Sequence, residues 1–116
     1  MPIQTPATST QARYLGTKEP VYLLAAHPDG NEWVCASATV TISPVSPPGA
    51  DAIVAGGTVE IDSTSENDLE HLITYPWDTT TGSPVWTAGF YKFAFHMTDG
   101  DGNIDIQEIT LSLLAA

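Results

Sequence analysis

Cysteine and basic side chains are the residue types that this chain has least of. Its single cysteine, Cys35, excludes an internal disulfide, so the fold must be held together by packing. Three basic residues stand against 14 acidic ones, which gives a net charge of −11. Such a charge repels phosphate, and we therefore expect no binding to nucleic acid or to an anionic membrane. The acidic excess favours solubility, a basic partner or a calcium-rich medium.

Catalytic and targeting motifs are also missing. The chain has no G-x-S-x-G, no H-E-x-x-H and no glycine-rich phosphate loop, and its histidines lack ligand-like spacing. Residues 1–12 have neither the basic start nor the apolar run of a signal peptide. No apolar run approaches the roughly 20 residues of a membrane span. We therefore predict a non-enzymatic protein with no cofactor that is assembled in the cytoplasm.

Alternating and aromatic runs, separated by Gly, Pro, Asn and Asp, fill most of the chain, and none has a helical period. In residues 33–43, period-two alternation predicts one buried face and one wet face. Trp33 and Cys35 fall on the polar phase of that run, which indicates a bulge or a covered outer face. In the last run, the apolar phase changes between Ile106 and Ile109, which predicts a second bulge.

These patterns predict an all-β, antiparallel sandwich of about seven strands over residues 16–116. Gly56 and Gly57 predict a hairpin or a sharp bend between two of the strands. Four of the strands contribute to the predicted core. Its members are Val40, Ile42, Ile73, Tyr75, Phe93, Phe95 and Leu111.

Residues 1–15 are expected to form an extended arm outside the sandwich. The segment is polar and nearly uncharged, and it ends in Tyr14 and Leu15. Ordering such a segment costs about 1–2 kcal/mol per residue, so we expect it to order only against a partner or a second copy. Tyr14 and Leu15 are therefore candidate partner-binding residues. Trp86 follows a loop and is a third candidate, as an exposed anchor.

One acidic run has the spacing of a metal loop. Asp99, Asp101, Asn103 and Asp105 resemble the opening of an EF-hand. Ile104 occupies the position where that loop requires glycine, and Thr110 the position of its bidentate acid. Asp-Gly repeats also favour tight turns, so we predict a structural hairpin, with these four residues as a weak calcium alternative. A second acidic patch, residues 62–70, is expected to be a solvated loop.

Several short motifs stand out along the chain: ATVTIS at 38–43, HLITYPW at 71–77 with DTT after it, AGFYKF at 88–93 and DGDG at 99–102. Together they resemble the immunoglobulin-like domain of upper-baseplate (BppU-type) proteins of tailed phages. The resemblance spans most of residues 20–114 and implies an immunoglobulin-like sandwich. It implies a virion structural protein without catalysis that docks appendages or decorates a shell.

The leading hypothesis is therefore an accessory, decoration or adaptor subunit of a phage capsid, neck or tail. It would be present in the virion in many copies or as a homo-oligomer, and it would bind other virion proteins. The alternative is a carbohydrate-binding or adhesion sandwich that uses Trp86, Tyr91 and loop carboxylates with calcium.

Overall fold

Two β-sheets packed face to face make up the described part of the chain. The computed structural model describes residues 4–8, 12–26, 33–47, 49–63, 70–80, 82 and 84–115. The strands are β1 (Gln4–Thr8), β2 (Arg13–Tyr14), β3 (Val21–Ala26), β4 (Cys35–Pro44), β5 (Val54–Thr58), β6 (Glu60–Ser63), β7 (Glu70–Tyr75), β8 (Gly89–Asp99) and β9 (Ile104–Leu114). Within those ranges there is no helix that could cross a membrane.

The strand order is that of an immunoglobulin-like sandwich. One sheet has the order β1-β3-β7-β6, and the other has the order β2-β9-β8-β4-β5. Read as A-B-E-D and A′-G-F-C-C′, these match the two sheets of such domains. Every pairing is antiparallel except β2 with β9, which is parallel. The predicted all-β sandwich is confirmed, with nine strands in the described residues.

The core lies between the sheets and contains the residues that alternation placed there. Six of the seven predicted residues are buried, and Tyr75 is partly buried against them. On β8, the side chains at positions 91, 93, 95 and 97 all point inward. The hydroxyl of Tyr91 donates to the Thr87 carbonyl at 2.6 Å. This bond from the start of β8 to the preceding corner has the form of the tyrosine corner of immunoglobulin-like domains.

One of the two predicted bulges is present. The register of β4 against β8 shifts between Cys35 and Ser37, which turns Trp33 and Cys35 into the core. The bulge predicted near Gln107 and Glu108 is wrong, because β9 keeps one register with β8 along its whole length. With no change of phase, Ile104 and Ile106 stay on the outer face, and both are exposed.

Residues 54–63 pass from one sheet to the other instead of forming a hairpin. β5 pairs with β4, whereas β6 pairs with β7 in the opposite sheet. Gly56 has a φ of +67°, and the register of β4 with β5 shifts beside it. The positive φ of Gly56 therefore belongs to an irregularity inside β5, and the change of sheet follows at Val59, between β5 and β6.

The N-terminal segment also differs from the predicted arm. β1 pairs with β3 of the same chain, and β2 pairs with β9. Strand pairing uses the backbone, so a segment with few apolar side chains still joins a sheet edge. Pro6 is compatible with this position because β1 is an edge strand. β1 and β2 therefore contribute one strand to each sheet.

Candidate docking surface

The two candidate residues at the end of the N-terminal segment occupy different environments. Tyr14 is 54% exposed on the outer face of the five-stranded sheet. Leu15 is half-buried and packs against the core, and its N–H donates to the Leu114 carbonyl at 2.8 Å. Leu15 therefore fastens β2 to β9, and Tyr14 alone of the pair remains available to a partner.

Three further exposed apolar side chains lie across this end of the same face. Leu114 is the register partner of Tyr14. Phe90 is opposite Ser112, two residues before Leu114, and so points outward with it. The N–H of Val45 donates to the Phe90 carbonyl at 3.0 Å, which brings Val45 alongside. We call Tyr14, Val45, Phe90 and Leu114 the Phe90 cluster. All four are exposed, and Phe90 most of all, at 63%.

A pocket of about 250 Å³ borders the cluster. Residues 44–46 and 87–91 form its walls, so Phe90 and Val45 lie at its edge. Isolated exposed apolar residues are common on soluble proteins, but a contiguous group beside a concavity marks an interaction site. This end of the five-stranded sheet is therefore the candidate docking surface.

The alternation of β8 places Phe90 on the outer face with Lys92 and His96. No comparable pattern in the sequence marks Val45 or Leu114 as surface residues. The grouping itself depends on the registers of β2, β8 and β9, which the sequence alone does not show.

Trp86 is not an exposed anchor. It is only 6% exposed, and its ring meets those of Trp77 and Tyr91 edge-on at 5.4 and 5.3 Å between centroids. Edge-to-face contacts of this kind add to the free energy gained by burying the rings. Although it follows a loop, Trp86 is part of the core. Tyr91 is buried as well, so neither aromatic residue is presented to a sugar.

The Asp99 loop is a hairpin turn closed by its own carboxylate. One oxygen of Asp99 accepts the N–H groups of Asp101 and Asn103, each at 2.9 Å, and the other accepts Nδ2 of Asn103 at 3.2 Å. The hydrogen bond from the backbone N–H of Asn103 is the main cause of the lowered pKa of Asp99. Of Asp99, Asp101, Asn103 and Asp105, only Asp99 and Asn103 join their side chains. In the described residues, no three acidic, His or Cys groups are arranged to hold a metal.

The remaining reactive side chains have structural environments. Burial raises the pKa of the Cys35 thiol to about 11, so the thiol is protonated at neutral pH. His71 is buried with Nε2 at 2.8 Å from the Trp33 carbonyl, and its ring lies against that of Trp33. His27, Glu66 and Asp68 lie outside the described residues.

Every basic side chain of the protein has an acidic partner within the same chain. Arg13 pairs with Glu19 at 3.2 Å, Lys18 with Asp78 at 3.9 Å, and Lys92 with Glu108 at 3.3 Å. The large excess of carboxylates therefore determines the charge that a partner meets.

Several solved structures are similar to this chain over nearly its whole length. CopC from Methylosinus trichosporium superposes with a TM-score of 0.54 at 15% identity, over 97% of this chain and 94% of that one. The Lin-41 filamin domain (TM-score 0.46, 15% identity, 97% and 91% coverage) and murine CRIg (0.42, 12%, 98% and 96%) are also similar. The fold is an immunoglobulin-like β-sandwich. No family model and no curated protein sequence matches the chain.

Proposed function

We propose that this domain is a non-enzymatic structural subunit of a tailed-phage virion that acts by docking to other virion proteins. The observation that carries the docking role is the Phe90 cluster, an exposed apolar group at one end of the five-stranded sheet. The motif resemblance to upper-baseplate domains supports the choice of a virion as the setting. Location in the capsid, neck or tail is compatible with the same surface.

The partner is expected to present an apolar patch rimmed by Lys or Arg. Phe90, Leu114 and Val45 would bury their exposed carbons against the patch, and burial of apolar surface contributes about 25 cal/mol per Å². The surrounding carboxylates would face the basic rim, because the chain's own cations are already paired. A partner with an acidic rim would be repelled.

Replacement of one cluster residue tests this proposal. Phe90→Asp places a charge at the centre of the cluster without touching the core, so the domain should stay folded. In particles assembled with only the variant protein, its copy number relative to the major capsid protein should fall about tenfold or more. Quantitative mass spectrometry of purified particles measures this ratio.

Val34→Asp is the matched control. Val34 is also exposed and apolar, but it lies near the opposite end of the sheet, beside Gly100. It should be incorporated at the wild-type ratio. Equal incorporation of both variants would show that docking uses another surface, and absence of the wild-type protein from purified particles would overturn the virion assignment.

A further inference from the structure

Among the described residues, β9 has a neighbour on both sides over only a short part of its length. β9 is flanked by β8 on one side, while β2 covers the other side only at Leu113 and Leu114. In the ranges that the structure describes, no strand lies beside residues 104–110 on the side away from β8. The register of β9 has no bulge there, so this edge is straight and regular.

Alternation of the hydrogen bonds shows which backbone groups face outward. The N–H of Asp99 donates to the Asn103 carbonyl, so these two residues direct backbone groups toward each other across the hairpin. In an antiparallel ladder, bonded and non-bonded pairs alternate. The odd-numbered residues of β9 thus bond to β8, and the even-numbered ones point their N–H and C=O groups to the open edge. The bond from Leu15 to the Leu114 carbonyl agrees with this assignment. The outward groups belong to Ile104, Ile106, Glu108 and Thr110.

We propose that this edge accepts an extended, lysine- or arginine-rich segment of a second protein as an added strand. Backbone hydrogen bonds supply affinity in this mode of recognition, and alternate side chains supply specificity. Ile104 and Ile106, at 64% and 51% exposed, offer an apolar row to every second residue of the segment. Asp105 on β9, Asp101 in the turn before it and the net charge of −11 make the surroundings of this edge negative.

Charge selects a basic segment over a second copy of this chain. Two copies of β9 paired antiparallel over residues 104–112 would place Glu108 opposite Glu108, and each chain brings a net charge of −11. Like charges directly opposite one another destabilise a strand pair. The one lysine on this face, Lys92, is already paired with Glu108. A cationic segment can therefore pair with this edge without the repulsion between like charges that a homodimer would meet.

A synthetic peptide tests the proposal by its effect on particular amides. The probe is a capped peptide of about eight residues in which valine and lysine alternate, so that one face is apolar and the other basic. Added to the full chain, it should slow hydrogen exchange at the amides of Ile104, Ile106, Glu108 and Thr110, as read by NMR. Amides of the odd-numbered residues, already bonded to β8, should change little.

Two variants locate the binding on the edge. Thr110→Pro removes one outward N–H at an exposed edge position, where proline is tolerated, and should weaken peptide binding about tenfold. Thr110→Val keeps that N–H and should bind as the wild type does. Should Thr110→Pro fail to fold, Ile106→Lys serves instead: it adds a repelling charge at an exposed site and should also weaken binding about tenfold.

The peptide controls separate strand addition from simple charge attraction. A peptide with glutamate in place of lysine should not bind. If the lysine peptide binds without protecting the four outward amides, or if the glutamate peptide protects them equally, the proposal is overturned. Neither result depends on the Phe90 cluster, because Phe90→Asp leaves this edge unchanged and should bind the peptide normally.

Discussion

Phe93 and Phe90 are three positions apart on β8 and therefore point to opposite faces of the sheet. Phe93 is fully buried, and its ring meets the rings of Trp77 and Tyr75 edge-on. Phe90 is the most exposed member of the cluster that bears its name. The same residue type thus stabilises the fold at one position and is available to a partner at the other.

Truncation of each ring measures that difference. Phe93→Ala leaves a cavity in the core and should reduce the free energy of unfolding by about 3–5 kcal/mol. Phe90→Ala should change it by no more than about 0.5 kcal/mol, since an exposed ring loses little on truncation. Urea denaturation followed by tryptophan fluorescence provides both values. Similar losses for the two variants would mean that the faces of β8 are wrongly assigned.

Alternation predicted the core because a strand has a period of two, so the faces of β4 and β8 are visible in their own residues. The environment of Trp86 was not predictable in this way. Its burial depends on Trp77 and Tyr91, which reach it from other parts of the chain. The bulge predicted in β9 was wrong because Ile104 and Ile106 were assumed to be buried, whereas an apolar residue can lie on the surface.

Among the elements, the N-terminal strands were the least predictable and are now expected to matter for stability. β1 and β2 join their sheets through backbone hydrogen bonds, and such pairing requires no alternation of apolar and polar side chains in the sequence. Within them, Arg13 is buried and donates from Nη2 to the Pro20 carbonyl at 3.1 Å. The predicted arm is thus part of the fold, whatever partner the domain binds.

Deletion of residues 1–15 should destabilise the domain. The deletion removes the Leu15 and Arg13 hydrogen bonds and the partial burial of Leu15, worth about 2–4 kcal/mol together. A deletion of residues 1–11 retains β2 and should lose less. Thermal unfolding by circular dichroism compares the two. An unchanged melting temperature after the longer deletion would restore the interpretation of the segment as a separate arm.

The stability of the domain should depend on pH through Asp99, which closes the β8–β9 hairpin. Because the pKa of Asp99 is lowered in the folded state, its contribution is present above the ordinary value of about 3.9 and is lost as pH falls through the lowered pKa. Asp99→Asn should therefore destabilise the domain near neutral pH and have less effect at about pH 3. Urea midpoints at the two pH values test this.

Asp101→Asn is the control for the hairpin, since Asp101 supplies its backbone N–H and retains it in the variant. This variant should match the wild type at both pH values. A loss that is equally large at both pH values for Asp99→Asn would assign the role of Asp99 to packing instead of charge. Because the turn is closed by these bonds, adding calcium or EDTA should leave the melting temperature unchanged.

At the scale of the whole molecule, charge and size together set the response to salt. The radius of gyration is 14.5 Å and the net charge is −11. At about 0.01 M ionic strength, the Debye length of about 30 Å is comparable with the extents of the domain, 41 × 26 × 21 Å, so carboxylates repel one another across most of it. At about 0.15 M the length falls to about 8 Å, and only neighbouring charges interact. The three ion pairs are at least partly exposed, and each is worth little.

Added salt should therefore raise the melting temperature, because screening weakens the repulsion between carboxylates within the domain. It should also weaken binding of a lysine peptide, because screening reduces the attraction between the acidic domain and the basic peptide. We expect a rise of several degrees between about 0.01 and 0.15 M sodium chloride. A variant with Asp51→Asn, Glu60→Gln and Asp101→Asn has three fewer exposed carboxylates and should show a smaller rise. A melting temperature that falls with salt would mean that the ion pairs of Arg13, Lys18 and Lys92 stabilise the domain by more than the repulsion between carboxylates destabilises it. The acidic surface would then cost less stability than a net charge of −11 predicts.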